Sequence, residues 1–326
     1  MVTSLQLIII LAPTAYIYIC IGLLTLLSIG AWYLCRRRKS RCLCYSLTSA
    51  LTILWYIFLY GTYIGFGKIE VNQLSFASKD LPKAFNGYRI VQFSDLHIGS
   101  YTGWREDILR RAVDSINAQQ PDMIVFTGDL QNKTPDEITD HIALLSRLHA
   151  RDGIYAVLGN HDYAEYLNGA DEATKAANCR RTREIIESIG WTLLCNDHRV
   201  IRRGNDSIII AGMENDGEGR FPQLGDIKKT LEGCEAFTIM LEHDPSSWQR
   251  KILPQSHAQL TLSGHTHAMQ FALFGWSPVQ LKGGETVGLY REGHRALYVS
   301  KGLGGVIPFR FGATGEITVI TLNIGH

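Results

Sequence analysis

Seven side chains able to bind a cation lie at five places where an apolar run gives out. Asp95 and His97 follow RIVQF, Asp129 follows MIVFTG, Asn160 follows IYAVLG, His243 follows FTIMLE, and His265 and His267 follow QLTLSG. Residues two apart in extended chain point the same way, so Asp95 with His97 and His265 with His267 can act as pairs. A glycine before Asp129, Asn160 and His265 lets the backbone turn sharply and crowd a small centre. Mixed carboxylate, amide and imidazole donors suit two divalent cations about 3.5–4 Å apart that share a carboxylate. Taken singly, a DxH, a GD or a lone histidine carries little; the whole set, in order and at strand ends, carries the reading. His141, His149, His198, His257, His294 and His326 lack such company and read as structural or solvated.

Those ends need strands to hold them. From about Lys68 onward, short β-rich runs alternate with amphipathic stretches. VNQLSFAS and RIVQF read as strands around an Asn86-Gly87 turn, and Trp104 to Gln119 has helical spacing before strand MIVFT. A helix from Asp136 to His149, strand IYAVL, a helix from Asp171 to Ile189, strands SIIIAG, FTIML and QLTLS, and late strands ALYVSKG and EITVITL complete the pattern. The expectation is an α/β sandwich with sheet inside and helices outside, its ligands at the carboxyl edge of the strands. HExxH, GxSxG and GxxxxGK[ST] are absent. Lys301 to Gly305 reads as a loop near the site, whose backbone N–H groups and Arg310 either touch substrate phosphate or serve as plain turn structure. Phe271, Phe274 and Trp276, soon after His267, suit a core edge, an acyl chain or the bilayer surface.

The chain before this region has another character. Of 32 lysines and arginines and 31 acids in 326 residues, residues 1–67 hold no acid and only Arg36, Arg37, Arg38, Lys39 and Arg41 as bases. Two uncharged runs, about 5–34 and 43–66, flank this basic knot. Each exceeds the roughly 20 apolar residues of a bilayer-crossing helix, and a signal peptide would carry its bases before the apolar core. The expected organisation is a two-helix transmembrane hairpin over 1–67 and one domain over 68–326. Bases in a short turn stay in the cytoplasm, which places the domain on the extracytoplasmic, periplasmic side of an inner membrane. The domain itself carries 27 bases against 31 acids, which argues against a nucleic-acid partner. Cys179, Cys195 and Cys234 read as small thiols of the domain, without metal spacing.

The set DxH, GD, GNHD, H and GHTH, present in full and in order, resembles the signature of the calcineurin-like metallophosphoesterase superfamily over about residues 85–325. The closing GLGGVIPFRFG and the two spans resemble its membrane-anchored bacterial branch, some of whose members hydrolyse the pyrophosphate of UDP-diacylglucosamine in lipid A synthesis. The resemblance implies two packed β-sheets between outer helices and two divalent ions, with manganese, iron, zinc and cobalt all admissible. It implies that Asp95, His97, Asp129 and His267 hold one ion, that Asp129, Asn160, His243 and His265 hold the other, and that a bridging hydroxide attacks phosphorus. It makes His161 the catalytic donor or acid. Many relatives orient this histidine with the last carboxylate of GDxxD; here Asn132 stands in that place, with an amide in the orienting role and Asp162 as a further supporting residue. The expected activity is hydrolysis of a phosphodiester or pyrophosphate in a membrane-associated, lipid-linked substrate. UDP-diacylglucosamine pyrophosphatase is the alternative if the domain is cytoplasmic, and a non-catalytic phospholipid-binding receptor is the alternative of another class.

Overall fold

The computed structural model describes residues 13–37, 41–167 and 169–325. Residues 5–12 of the first apolar run and 38–40 of the basic turn lie outside the described residues. Helices α1 (Pro13–Arg37) and α2 (Arg41–Tyr60) form a hairpin, tied where Trp55 Nε1 donates to Ser28 Oγ at 3.3 Å. Both are long and apolar enough to cross a membrane, and none of the first span's apolar window is buried. Leu26, Ile53 and Tyr56 turn outward, which a soluble core helix would not allow. A π-helical turn, Gly61–Gly65, leads from α2 into the rest of the chain.

Two six-stranded sheets follow, mixed in direction and packed face to face. The first has the order β1 (Ile69–Ser78), β12 (Gly315–Ile324), β2 (Tyr88–Phe93), β3 (Met123–Thr127), β4 (Ile154–Val157) and β5 (Thr192–Leu193). The second has the order β10 (Gly288–Glu292), β11 (Arg295–Val299), β9 (Leu260–Ser263), β8 (Thr238–Leu241), β7 (Asp206–Gly212) and β6 (Asp197–Arg203). The five strands that precede the candidate ligands, β2, β3, β4, β8 and β9, run parallel within their sheets.

Strand period places successive residues in different cores. Ile90, Val125, Ile239, Leu241, Leu260 and Leu262 fill the space between the sheets, whereas Val91, Phe93, Ile124 and Phe126 face the helical layer. That layer contains α3 (Glu106–Ala118), which buries Ile108, Leu109, Ala112, Val113 and Ile116 on one face, and α4 (Glu172–Ser188), which buries Ile185 and Ile186. Both faces of each central strand are covered, as expected of an α/β sandwich with sheets inside.

Local departures have local causes. The helix expected over Asp136 to His149 is two short turns, 136–139 and 142–145, because Thr139, Asp140 and His141 are weak helix formers. Strands β6 and β10 escape the pattern because each lies at a sheet edge and is polar on both faces, β6 burying only Ile201 and β10 no side chain. No disulfide links the described cysteines, and Cys179, Cys195 and Cys234 are thiols.

Candidate metal centre

Strands β2, β3 and β4 of one sheet and β8 and β9 of the other all end at a common edge, where the seven donors meet. Asp95, His97, Asp129, His265 and His267 have positive φ, between 45° and 75°. Such strain in residues with side chains persists where surrounding structure fixes it, and it clusters at functional sites. Neighbouring loops supply that support: Asp95 N donates to Gly128 O at 2.9 Å and His97 N to Asp129 O at 3.1 Å. Gly264 admits no side chain, since a Cβ there would lie 2.0 Å from Ser94 Oγ.

The donors fall into two groups that share Asp129. In the first, one ligand atom each from Asp95, His97, Asp129 and His267 lie within 4.8 Å of one another. His97 Nε2 is 3.1 Å from His267 Nε2 and 3.5 Å from Asp129 Oδ2, and His267 Nε2 is 3.3 Å from Asp95 Oδ1. In the second, His243 Nε2 is 3.3 Å from Asp129 Oδ2 and 3.2 Å from Asn160 Oδ1, and His265 Nδ1 is 2.8 Å from the same Asn160 oxygen. Asn160 cannot present its nitrogen inward, because Nδ2 donates to Tyr166 Oη at 2.8 Å. Ring nitrogens, an amide oxygen and carboxylates thus aim at two small centres on either side of one carboxylate, a donor set that fits two divalent ions.

Burial shapes the charges. It pulls the His97 pKa down to about 3, with His161 adding to the effect, so the ring is neutral, the form that binds metal. Burial would also raise Asp129, but His243 and then His161 outweigh it and hold that carboxyl well below the usual range. Asp95 is pushed up to about 7 by burial, with His243 opposing. Two carboxylates and four imidazoles packed this closely and largely buried favour a compensating cation.

A supporting layer surrounds the donors. Thr127 O accepts from His243 Nδ1 at 2.7 Å, which fixes Nε2 as the inward atom. Asp244 Oδ2 lies 3.5 Å from His265 Nε2 on the side away from Asn160. Asp162 is the clamp of two loops: its carboxylate accepts from the backbone N–H of Asp129, Leu130, Gln131 and Gly159 at 2.9–3.3 Å. Burial and Asp129 push its pKa up to about 7 against those donors.

His161 sits beside the donors rather than among them. Its Nδ1 donates to the backbone carbonyl of Asn132 at 2.7 Å, its N–H to Asp129 Oδ1 at 2.8 Å, and its ring stacks on Tyr166 at 3.9 Å. Burial lowers its pKa, with Asp129 opposing. One expectation needs correction here. The Asn132 amide does not orient His161; its backbone oxygen does, and the loop is held because the N–H groups of Asn132, Lys133 and Thr134 donate to Glu137 at 2.6–3.3 Å. Of the two readings of Arg310, the structural one fits: it is fully buried, and its guanidinium donates to the carbonyls of Lys301, Gly302, Gly304 and Ala313. It knits the glycine loop together beneath the site.

Asp244, Tyr166, Thr127 and Glu137 were not singled out from sequence. Asp244 directly follows His243, and that adjacency was the available signal.

The profile of the calcineurin-like phosphoesterase family matches residues 88–269. The chain is 32% identical over 278 residues to the uncharacterized metallophosphoesterase YkuE of Bacillus subtilis, covering 81% of this chain and 89% of that one. It is 33% identical over 286 residues to the transmembrane protein with metallophosphoesterase domain of Danio rerio, covering 84% of this chain and 62% of that one. It is 28% identical over 313 residues to the UDP-2,3-diacylglucosamine pyrophosphatase LpxG of Chlamydia muridarum, covering 79% of this chain and 92% of that one.

Proposed function

Because the chain belongs to the calcineurin-like phosphoesterase family and is a metal-dependent phosphoester hydrolase, we propose that it cleaves a phosphodiester or pyrophosphate bond in a membrane-borne, lipid-linked substrate. The carrying observation is the Asp129 carboxylate, with His97 and Asp95's partner His267 on one side and His243 with Asn160 on the other. In this reading residues 1–67 anchor a phosphoesterase domain of residues 68–326. Asp95, His97, Asp129 and His267 hold one ion; Asp129, Asn160, His243 and His265 hold the second. When bound, the two ions supply an acidified water and positive charge for the phosphate oxygens.

The chain's own residues do the rest. Asn132 O fixes the His161 proton on Nδ1, which leaves Nε2 to face the ester. That nitrogen accepts when the ring is neutral and donates, to a phosphoryl or leaving-group oxygen, when it is protonated. Tyr166 keeps the ring in plane by stacking.

Five bases in the turn between the spans favour an extracytoplasmic domain anchored in the inner, cytoplasmic membrane. The likeness to LpxG supports a second reading, a UDP-diacylglucosamine pyrophosphatase, which requires a cytoplasmic domain. Hydrolysis of bis(p-nitrophenyl) phosphate by the detergent-solubilised full chain, stripped and reloaded with manganese, zinc, iron or cobalt, tests the enzymatic reading. Turnover that returns with metal supports it. Inactivity with all four metals bound would favour a phospholipid-binding receptor.

A further inference from the structure

Residues 268–281, which begin immediately after His267, contain no charged side chain. Their centre is a two-residue turn in which Leu273 and Trp276 exchange backbone hydrogen bonds of 2.8 and 2.9 Å. Phe274 and Gly275 form its tip with φ of 51° and 82°, the conformation that Asn-Gly ordinarily supplies. A phenylalanine with positive φ is strained, so this aromatic is held at the tip against backbone preference. Its ring is fully exposed, Leu281 is 78% exposed, and Met269, Leu273 and Trp276 are 42–47% exposed. An apolar projection whose tip stands clear of its own chain marks a contact surface.

Its position identifies the occupant. Phe271 stacks on Phe311 at 5.6 Å, and Phe311 meets the rings of Tyr60 and Tyr56 of α2 at 5.5 and 6.5 Å. Tyr56 lies one turn inside the helix from Tyr60, so the segment departs from the level of the last turn of α2, near the end of the apolar span. The join is firm: Arg310 N donates to Gly61 O at 3.0 Å. Tyr63 and Ile64, next in the chain, and Trp104, stacked on Tyr63 at 6.4 Å, are also about half exposed. Aromatic side chains gathered at the end of a span are what the headgroup layer accommodates, and Lys282, at the end of the segment, can reach its phosphates.

We propose that the 269–281 turn inserts into the headgroup–acyl boundary of the bilayer as a membrane contact additional to α1 and α2, holding the mouth of the metal centre against the lipid surface. The inference rests on α1 and α2 being spans, and it does not depend on which ester is cleaved.

Depth-dependent quenching tests it on the full chain in phosphatidylcholine liposomes. A polarity-sensitive fluorescent amino acid is introduced singly at position 274, 281, 53 or 187, and the lipid carries a nitroxide near the headgroup or near the acyl terminus. Position 53 is exposed on α2, and Glu187 lies exposed on α4, beside the far edge strand β5. The expected result is loss of emission at 274 and 281 with the shallow nitroxide, loss at 53 with the deep one, and no loss at 187. Emission at 274 and 281 matching 187 while 53 is quenched would overturn the inference and leave the spans intact. Absence of quenching at 53 would remove the spans and the inference together. A blue shift at 274 without lipid quenching would overturn it in favour of a protein partner such as a second copy.

Discussion

Asp244 holds the nitrogen of His265 that does not face the centre, and both residues are largely buried. A carboxylate behind a ligating histidine raises its basicity and fixes its ring, and removing such a partner usually weakens metal binding about 10–100-fold. Asp244→Asn is therefore expected to lose affinity of that order in metal titrations while the thermal transition of the stripped protein stays in place; unchanged affinity would remove Asp244 from the site. His161→Ala should keep both metals yet lose about 10²–10⁴ in kcat, with a smaller loss for nitrophenyl esters if the ring serves as acid. Metal loss in proportion to activity would show His161 to be a ligand instead. The contrast between these residues also explains what could be read from sequence. Each proposed ligand announces itself locally, as a donor just past an apolar strand, often after glycine. Asp244 meets His265 from a different strand end, whereas Tyr166 and Glu137 bond to near neighbours in sequence but stand in no ligand pattern that marks them, and nothing near Asn132 says that its carbonyl, rather than its amide, meets His161.

At the scale of elements, the site depends on loops that two sheets force together. Asp162 joins two of them by accepting four backbone N–H groups. An unmade buried hydrogen bond costs about 1–3 kcal/mol, so Asp162→Ala should lower unfolding free energy by roughly 3 kcal/mol or more. Urea denaturation of the metal-free chain reads this directly, and an unshifted midpoint would show that the loops hold without the clamp. The central strands were legible because both faces are apolar and their lengths are short. Edge strands β6 and β10, with charged residues on both faces, look like loops until their pairing is seen. The broken 136–145 helix likewise has a continuous apolar spacing, yet Glu137 is engaged with the 132–134 loop instead of continuing a regular surface.

For the whole molecule, the side of the membrane that the centre occupies and the substrate it meets there are coupled. A phosphatase reporter fused after residue 326 should be active outside the cytoplasm, and neutralising Arg36 to Arg38 should weaken that orientation. Reporter activity confined to the cytoplasm would transfer the account to the UDP-lipid reading. The centre itself is tested most directly by manganese titration of the stripped full chain, followed by electron paramagnetic resonance. Asp129 shared between two donor groups predicts saturation at about two ions per chain with an exchange-coupled signal, and loss of that coupling in Asp129→Ala. Saturation at one uncoupled ion in the unsubstituted chain, or coupling that survives removal of Asp129, would contradict a shared carboxylate at the heart of the site.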